Sequence, residues 1–160
     1  MGRIEDLRSG LDLLLNLPPD AWIVPAEPFH AELARFCNAP AVVQLIDMGP
    51  SYTLIYKNRI AALFGVAMPW AGLGEAWLVT ERERVRPLAL RFARGARRFC
   101  GLAVFALNLR RLQIHASITS ANPTFVKFAR VIGFTDEARL AGFMPDGADV
   151  VLLAWKGNAS

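Results

Sequence analysis

The feature that most constrains this chain is a change of hydrophobic period that occurs repeatedly along its second half. Residues 51–57 (SYTLIYK), 60–68 (IAALFGVAM) and 75–80 (EAWLVT) are rich in strand formers. The segments between them carry Asn58, Pro69, Gly72 and Gly74, so a short-looped antiparallel meander is expected, with 69–74 as a loop. From Pro87 the spacing becomes helical, with Leu88, Phe92, Ala96, Phe99, Ala103 and Leu107 on one side. Gly95 and Gly101 weaken the C-terminal half of that helix. Residues 110–119 (RRLQIHASIT) alternate again: Leu112, Ile114, Ala116 and Ile118 point one way, and Gln113, His115, Ser117 and Thr119 the other. Asn122 and Pro123 read as the cap and first position of another helix, with an apolar stripe of Phe125, Phe128, Ala129 and Ile132. Gly133 reads as its stop, and Asp146-Gly147 as the turn between final strands near 137–144 and 149–155.

The first half is less regular. Residues 3–16 read as an amphipathic helix carrying Ile4, Leu7, Leu11, Leu14 and Leu15, separated from the rest by Pro18-Pro19. A short strand at 22–24 is expected, then helices at 27–36 and 40–48, the second ended by Gly49-Pro50. The total is about seven strands and three or four helices in a single domain over 1–160, an α+β fold. Residues 1–18 form a leader that could dock on a partner.

Composition narrows the function classes. With 160 residues, 54% hydrophobic and 20% charged, the chain can bury a core and is not disordered. Its longest uncharged stretch, residues 60–74, is too short and too broken by Pro69, Gly72 and Gly74 to span a membrane as a helix. Glu5, Asp6 and Asp12 do not suit a secretion signal. Cys37 and Cys100, 63 residues apart, form neither a metal-ligand pattern nor a disulfide framework, and no metal is expected. Charge is uneven. Residues 82–111 hold nine arginines against Glu83 alone, +8 in a chain whose total is +4, so the remainder is −4. Arg91, Arg94 and Arg98 share one helix face, which makes nucleic acid a candidate partner, although a solvated helix face has the same composition. The apolar content also favours burial in self-association or a larger assembly.

Residues 122–134 (NPTFVKFARVIGF) are similar to the GNAT acetyltransferase segment in which Asn opens a helix and Gly-Phe follow eleven and twelve residues later. The order of three strands, helix, strand, helix, two strands resembles the same superfamily. More closely, GVAMPWAGLGEAWLVT, the arginine-rich helix and LQIHASITSAN…IGF resemble the internal virion protein A family of short-tailed phages, whose members are often described as acetyltransferases. This resemblance covers about residues 50–156. It implies a mostly antiparallel GNAT-like sheet and acetyl-CoA as the cofactor. It also implies virion proteins or self-association as partners, and a place in the virion or host cytoplasm.

In such a fold the fourth strand splays from the fifth, and the cofactor bonds to its free backbone, here Leu78, Val79 and Thr80. The following loop and helix start hold the pyrophosphate through backbone amides, usually in an Arg/Gln-x-x-Gly-x-Gly/Ala pattern. Here that loop falls at 80–87 (TERERVRP), which has no glycine and carries Glu81 and Glu83. Arg82, Arg84 and Arg86 are the side chains that could compensate, with Asn122 at the next helix start. The tyrosine that often protonates the leaving thiolate corresponds to Ala129, and the only tyrosines are Tyr52 and Tyr56. Glu75 and His115 are the candidate bases, each also readable as an ordinary strand residue. His30 reads as a surface side chain. Trp70, Trp77 and Trp155 read as core anchors, with Trp70 an alternative pocket residue. These departures lead the sequence reading to a GNAT-fold phage component with degraded activity. An active acetyl-CoA-dependent N-acetyltransferase and a nucleic-acid-binding accessory protein are the alternatives.

Overall fold

The structure is a computed structural model that describes residues 7, 11, 16–33, 42–117 and 123–156. Seven strands form one sheet: β1 (Ala21–Pro25), β2 (Ser51–Tyr56), β3 (Arg59–Trp70), β4 (Leu73–Thr80), β5 (Arg111–Ser117), β6 (Phe134–Leu140) and β7 (Val150–Trp155). Their spatial order is β1-β2-β3-β4-β5-β7-β6. Every neighbouring pair is antiparallel except β4 and β5. Two long helices, α1 (Ala89–Ala106) and α2 (Pro123–Ile132), accompany short helical turns such as Pro28–Ala31, Val42–Leu45 and Arg82–Val85. Two long helices are fewer than the three or four expected, because the segments at 27–33 and 42–48 make single turns among the described residues.

Local chemistry explains the connections. The β2–β3 turn places Lys57 and Asn58 at φ 49° and 59°, the left-handed pair that closes a two-residue hairpin. Asn tolerates this conformation readily; lysine is strained by it. Gly133 ends α2 at φ +115°, and a Cβ there would lie 2.9 Å from the Trp155 ring, so both conformation and space exclude a side chain. Phe134 then enters β6 and meets Trp155 edge to face at 5.4 Å.

The sheet is covered on both faces. On one, α1 buries Phe92, Gly95, Phe99, Cys100, Ala103 and Ala106. There Phe64 meets Phe92 and Phe99 edge to face, each at 5.7 Å, and Tyr52 meets Phe99 at 6.0 Å. Each fully buried aromatic of this kind contributes about 1.5–3 kcal/mol. Leu7 and Leu11, from the leader, are buried in this same core. The opposite face buries Leu33, Ile46, Leu63, Ala67, Trp77 and Val79. Alternation assigns every residue of β4 and β5 to a face. Ala76 and Leu78 join Leu112, Ile114 and Ala116 on the helix side. Glu75 and Trp77 share the other face with Gln113 and His115.

β4 and β5 pair only through Leu73↔Arg111, Gly74↔Leu112 and Glu75↔Gln113. Gly74 permits this approach: a Cβ there would sit 2.6 Å from Leu109 Cδ1 and 2.9 Å from Val66 Cγ1. Beyond Glu75 the two strands part, and β5 continues against β7 as far as Ser117↔Val150.

Several expectations change. The loop expected at 69–74 shrinks to a tight turn, because β3 runs on to Trp70 and pairs it with Leu73. α1 is continuous through both glycines: Gly95 is buried and Gly101 faces open space, so neither has to break it. The last hairpin is not closed at Asp146-Gly147. β6 ends at Leu140, short of the expected 144, and a loop at 141–149 joins it to β7. His30 is buried, not at the surface, while Trp70 is 65% exposed and anchors no core. Asn122, Cys37 and most of the leader lie outside the described residues.

Candidate active site

The two candidate bases meet where β4 and β5 part. Glu75 is the last β4 residue paired with β5, and His115 stands two residues beyond Gln113, on the same face. Their side chains are hydrogen-bonded, His115 Nδ1 to Glu75 Oε1 at 2.7 Å. Both are about three-quarters buried, with side-chain exposures of 25% and 27%. A carboxylate only accepts, so Nδ1 is the donor, which fixes the neutral imidazole as the Nδ1–H tautomer and leaves Nε2 as the acceptor.

The β6–β7 loop completes the arrangement. Phe143 lies parallel to the His115 ring, at an interplanar angle of 2° and 5.7 Å between centroids. The loop is held by Asp149, which accepts from Gly142 N at 3.0 Å and Arg139 Nε at 2.9 Å, and by the Gly147 N–H donating to the Met144 carbonyl at 2.8 Å. Phe143 and Met144 remain exposed, as does Trp70 at the β3–β4 turn. Trp70 pairs with Leu73 and so shares the Glu75 face. On that face Trp77 is buried, and its Nε1 has no partner among the described residues. Beside the pair, Gln113 accepts from Arg111 Nε at 2.7 Å, and Glu137 accepts from both Arg111 and Lys156.

On the helix side, the parting strands open an apolar cleft of about 50 Å³ lined by Phe64, Ala76, Leu78, Phe92, Phe125 and the leader's Leu11. Cys100 also lines it; burial pushes its thiol up to about 12, so it is not a thiolate at neutral pH. Residues 76–80 of β4 pair with β3 on one side and have no strand on the other among the described residues. Leu78 thus borders this cleft on the outer edge of β4, with Val79 and Thr80 following it along the strand.

The expected phosphate loop takes another form. Residues 82–85 make a helical turn capped by Glu81, whose carboxylate accepts from Arg84 N at 2.9 Å and Glu83 N at 3.4 Å. Arg84 is tied down, donating to the Ile60 carbonyl at 2.8 Å and lying 3.5 Å from Glu81. Arg82 and Arg86 are exposed. Ala129, at the position expected for a tyrosine, is fully buried; Tyr52 is buried in the aromatic core on the helix side.

A second buried histidine serves structure. His30 Nδ1 accepts from Glu27 N at 3.1 Å and faces Thr53 Oγ1 at 2.9 Å. An N–H can only donate, so Nδ1 is unprotonated there, and burial lowers the pKa of His30 despite nearby Glu27. Among the described residues no His, Cys, Asp and Glu group suits a metal ion. None of their helices is long and apolar enough to cross a membrane.

Sequence reasoning missed Phe143 and the Glu81 cap. Phe143 sat inside an expected strand, which hid its place in a loop. The signal for the cap was an acidic residue directly between a strand and a helical turn, read instead as unwanted charge.

Compared with solved structures, the chain is similar to a GNAT family acetyltransferase from Elizabethkingia anophelis with acetyl-CoA bound. The TM-score is 0.64 at 15% identity, covering 86% of this chain and 99% of that one. It is also similar to Ard1 from Thermoplasma volcanium, with TM-score 0.67, 12% identity, and 84% and 96% of the two chains covered. A spermidine N-acetyltransferase mutant from Vibrio cholerae gives 0.63 at 13% identity, covering 86% and 94%. No protein-family model matches the chain, and no curated protein matches its sequence. At such identities the likeness establishes the fold: an α+β GNAT sheet with its fourth and fifth strands splayed.

Proposed function

We propose that this protein is an acetyl-CoA-dependent N-acetyltransferase in which His115 is the general base and Glu75 orients it. The observation that carries the reading is the 2.7 Å hydrogen bond between the two side chains at the point where β4 and β5 diverge. Glu75 holds the Nδ1 proton, so the Nε2 lone pair is available to take the proton that an acceptor amine must lose. The resulting imidazolium is stabilised by the Glu75 carboxylate. Phe143 covers one face of the ring and holds its plane.

The residues fit acetyl-CoA along the strand. The β4 edge at Leu78 and Val79, which meets no second strand among the described residues and lies beside an apolar cleft, suits an extended arm carrying amides. Arg82 and Arg86 supply exposed guanidinium groups for its phosphates. When bound, the cofactor supplies an activated acetyl thioester. Exposed Trp70, Phe143 and Met144 give the acceptor side an apolar rim.

A second reading is favoured by one specific observation. The Glu81 carboxylate already takes the Glu83 and Arg84 amides, which an incoming pyrophosphate would need. With no phenol at Ala129, this supports a GNAT-fold protein whose activity has degraded, which the resemblance of residues 50–156 to a phage protein family would make a particle component. Such a component would associate with itself or with virion proteins, in the virion or host cytoplasm. The test is calorimetric titration of the full chain with acetyl-CoA, followed by amine-dependent thiol release over a panel of primary amines. Saturable binding and amine-dependent release support the enzyme. No binding at tens of micromolar, together with self-association, supports the particle component.

A further inference from the structure

We propose that the apolar cleft behind Glu75 and His115 is an acyl-chain pocket, so that the preferred donor is a butanoyl to hexanoyl thioester and not an acetyl one. The proposal rests on the transferase reading above and names its donor. Placement is the first argument. Ala76 follows Glu75 along β4, and Ile114 precedes His115 along β5. Alternation turns these two neighbours to the opposite face of the sheet, and both line the cleft. The cleft therefore opens directly behind the Glu75–His115 pair, where the pairing of β4 with β5 ends. A reacting carbon lodged in that gap is open to His115 from one face, and a chain attached to it has the cleft on the other.

The lining is the second argument. The described residues around the cleft carry no charge and no hydroxyl or amide side chain. The Cys100 thiol is kept neutral by burial, which pushes it up to about 12. Phe92, Phe99 and Phe128 line it from the helices, and Leu11 from the leader. A pantetheine arm carries amides and a hydroxyl, which find no partner among such side chains, and burying them unpaired is costly. Methylene groups bear no such penalty. The arm is thus left to the β4 edge at Leu78 and Val79, and the cleft to the acyl chain.

Size is the third argument. The free space is about 50 Å³. About 10–15 Å³ of such space takes one water-sized group, so the cleft holds roughly three to five methyl or methylene groups. That matches the carbons beyond the carbonyl in butanoyl to hexanoyl chains. The single methyl of an acetyl group would leave most of the cleft empty, and a longer chain recovers the missing dispersion contacts. Gly95 is buried in mid-helix, where alanine propagates a helix better, so its lack of a side chain costs α1 stability and leaves room in the cleft.

The test is isothermal titration of the full chain with acetyl-, butanoyl-, hexanoyl- and decanoyl-CoA. Ligand-observed NMR with S-acetyl- and S-hexanoyl-N-acetylcysteamine, thioesters that lack the phosphates, reads the cleft independently of the phosphate site. Affinity should rise about fourfold per added methylene, roughly 200-fold from acetyl to hexanoyl, and gain nothing further at decanoyl. Ala96→Leu fills the cleft from α1 with another good helix former and should flatten the series in a folded variant. Affinity that ignores or falls with chain length in both sets of probes overturns the proposal, as does an unchanged series in folded Ala96→Leu. Amine-dependent transfer from acetyl-CoA with no gain from hexanoyl-CoA overturns the proposal and leaves the acetyltransferase reading standing. A chain-length gain in binding without amine-dependent thiol release from any thioester supports the pocket and removes the transferase reading.

Discussion

Replacing Glu81 by Ala should change stability and ligand affinity in opposite directions. The carboxylate caps the helical turn at residues 82–85, with Arg84 N at 2.9 Å and Glu83 N at 3.4 Å, and it is the ion-pair partner of Arg84. Losing a side-chain cap costs about 0.5–2 kcal/mol. The longer of the two bonds is weak, and Arg84 keeps its 2.8 Å bond to the Ile60 carbonyl, so a cost near 1 kcal/mol is expected. For a domain of this size that lowers Tm by about 2–4 °C. An external pyrophosphate must break the same two bonds before it can use those amides. Removing the carboxylate in advance therefore returns roughly the same free energy to binding, about a fivefold tighter acetyl-CoA complex, before any gain from removing a negative charge. Differential scanning calorimetry gives the first quantity and isothermal titration the second. A variant that loses Tm while binding acetyl-CoA no better than its parent would refute the competition argument.

Three other perturbations have expected outcomes. Phe143→Ala removes a ring that is 56% exposed but stacked on His115, so turnover should fall about 2- to 12-fold with Tm nearly unchanged; a Tm drop without a rate effect would assign the ring to stability. Gly133→Ala must hold a side chain at φ +115° against Trp155, and thermal unfolding should show a loss of roughly 2–3 kcal/mol. Acid should destabilise the fold in two stages, read from denaturant midpoints against pH. Burial lowers the pKa of His30 in the folded state, so below about 6.5 the unfolded chain binds its proton first and stability falls. Glu137 is held down to about 2 by Arg111 and Lys156, so a further loss runs from about 4.5 toward 2; Glu137→Gln should shrink that lower stage and leave the His30 stage unchanged, the remainder coming from Asp136 and Asp149, which their arginine and backbone partners also hold low.

The elements legible in the sequence were those whose side chains report their own environment. The alternation of 110–119 correctly put His115 opposite Leu112 and Ile114, and the stripe ending at Gly133 correctly bounded α2. Glu75 and His115 were each visible as candidates, but nothing in a linear spacing of forty residues says that two strands are neighbours in parallel register. That register depends on Gly74 letting Leu109, Val66 and Leu112 close around it, a three-body packing fact. The final hairpin was misjudged because Asp146-Gly147 is a strong local turn signal. The pairing of Leu140 with Val150 instead leaves nine residues in the loop, with Asp149 tying its base through Gly142 and Arg139. His30 was misplaced for a similar reason: one helical turn carries too short a period to show which side is buried. Trp70 was taken for core by composition, yet the β3–β4 turn delivers it to solvent.

The most direct test of the central claim is the initial rate of acetyl transfer from acetyl-CoA to primary amines, measured for the wild-type chain and for His115→Gln. Only two histidines are present, so the imidazole resonances of the variant report cleanly whether His30 and its surroundings remain folded. The expected result is amine-dependent transfer by the wild type and a loss of about 100-fold or more in the folded variant, the scale of a general base. Equal rates in the two proteins, or no transfer to any amine by folded wild-type protein, would contradict it.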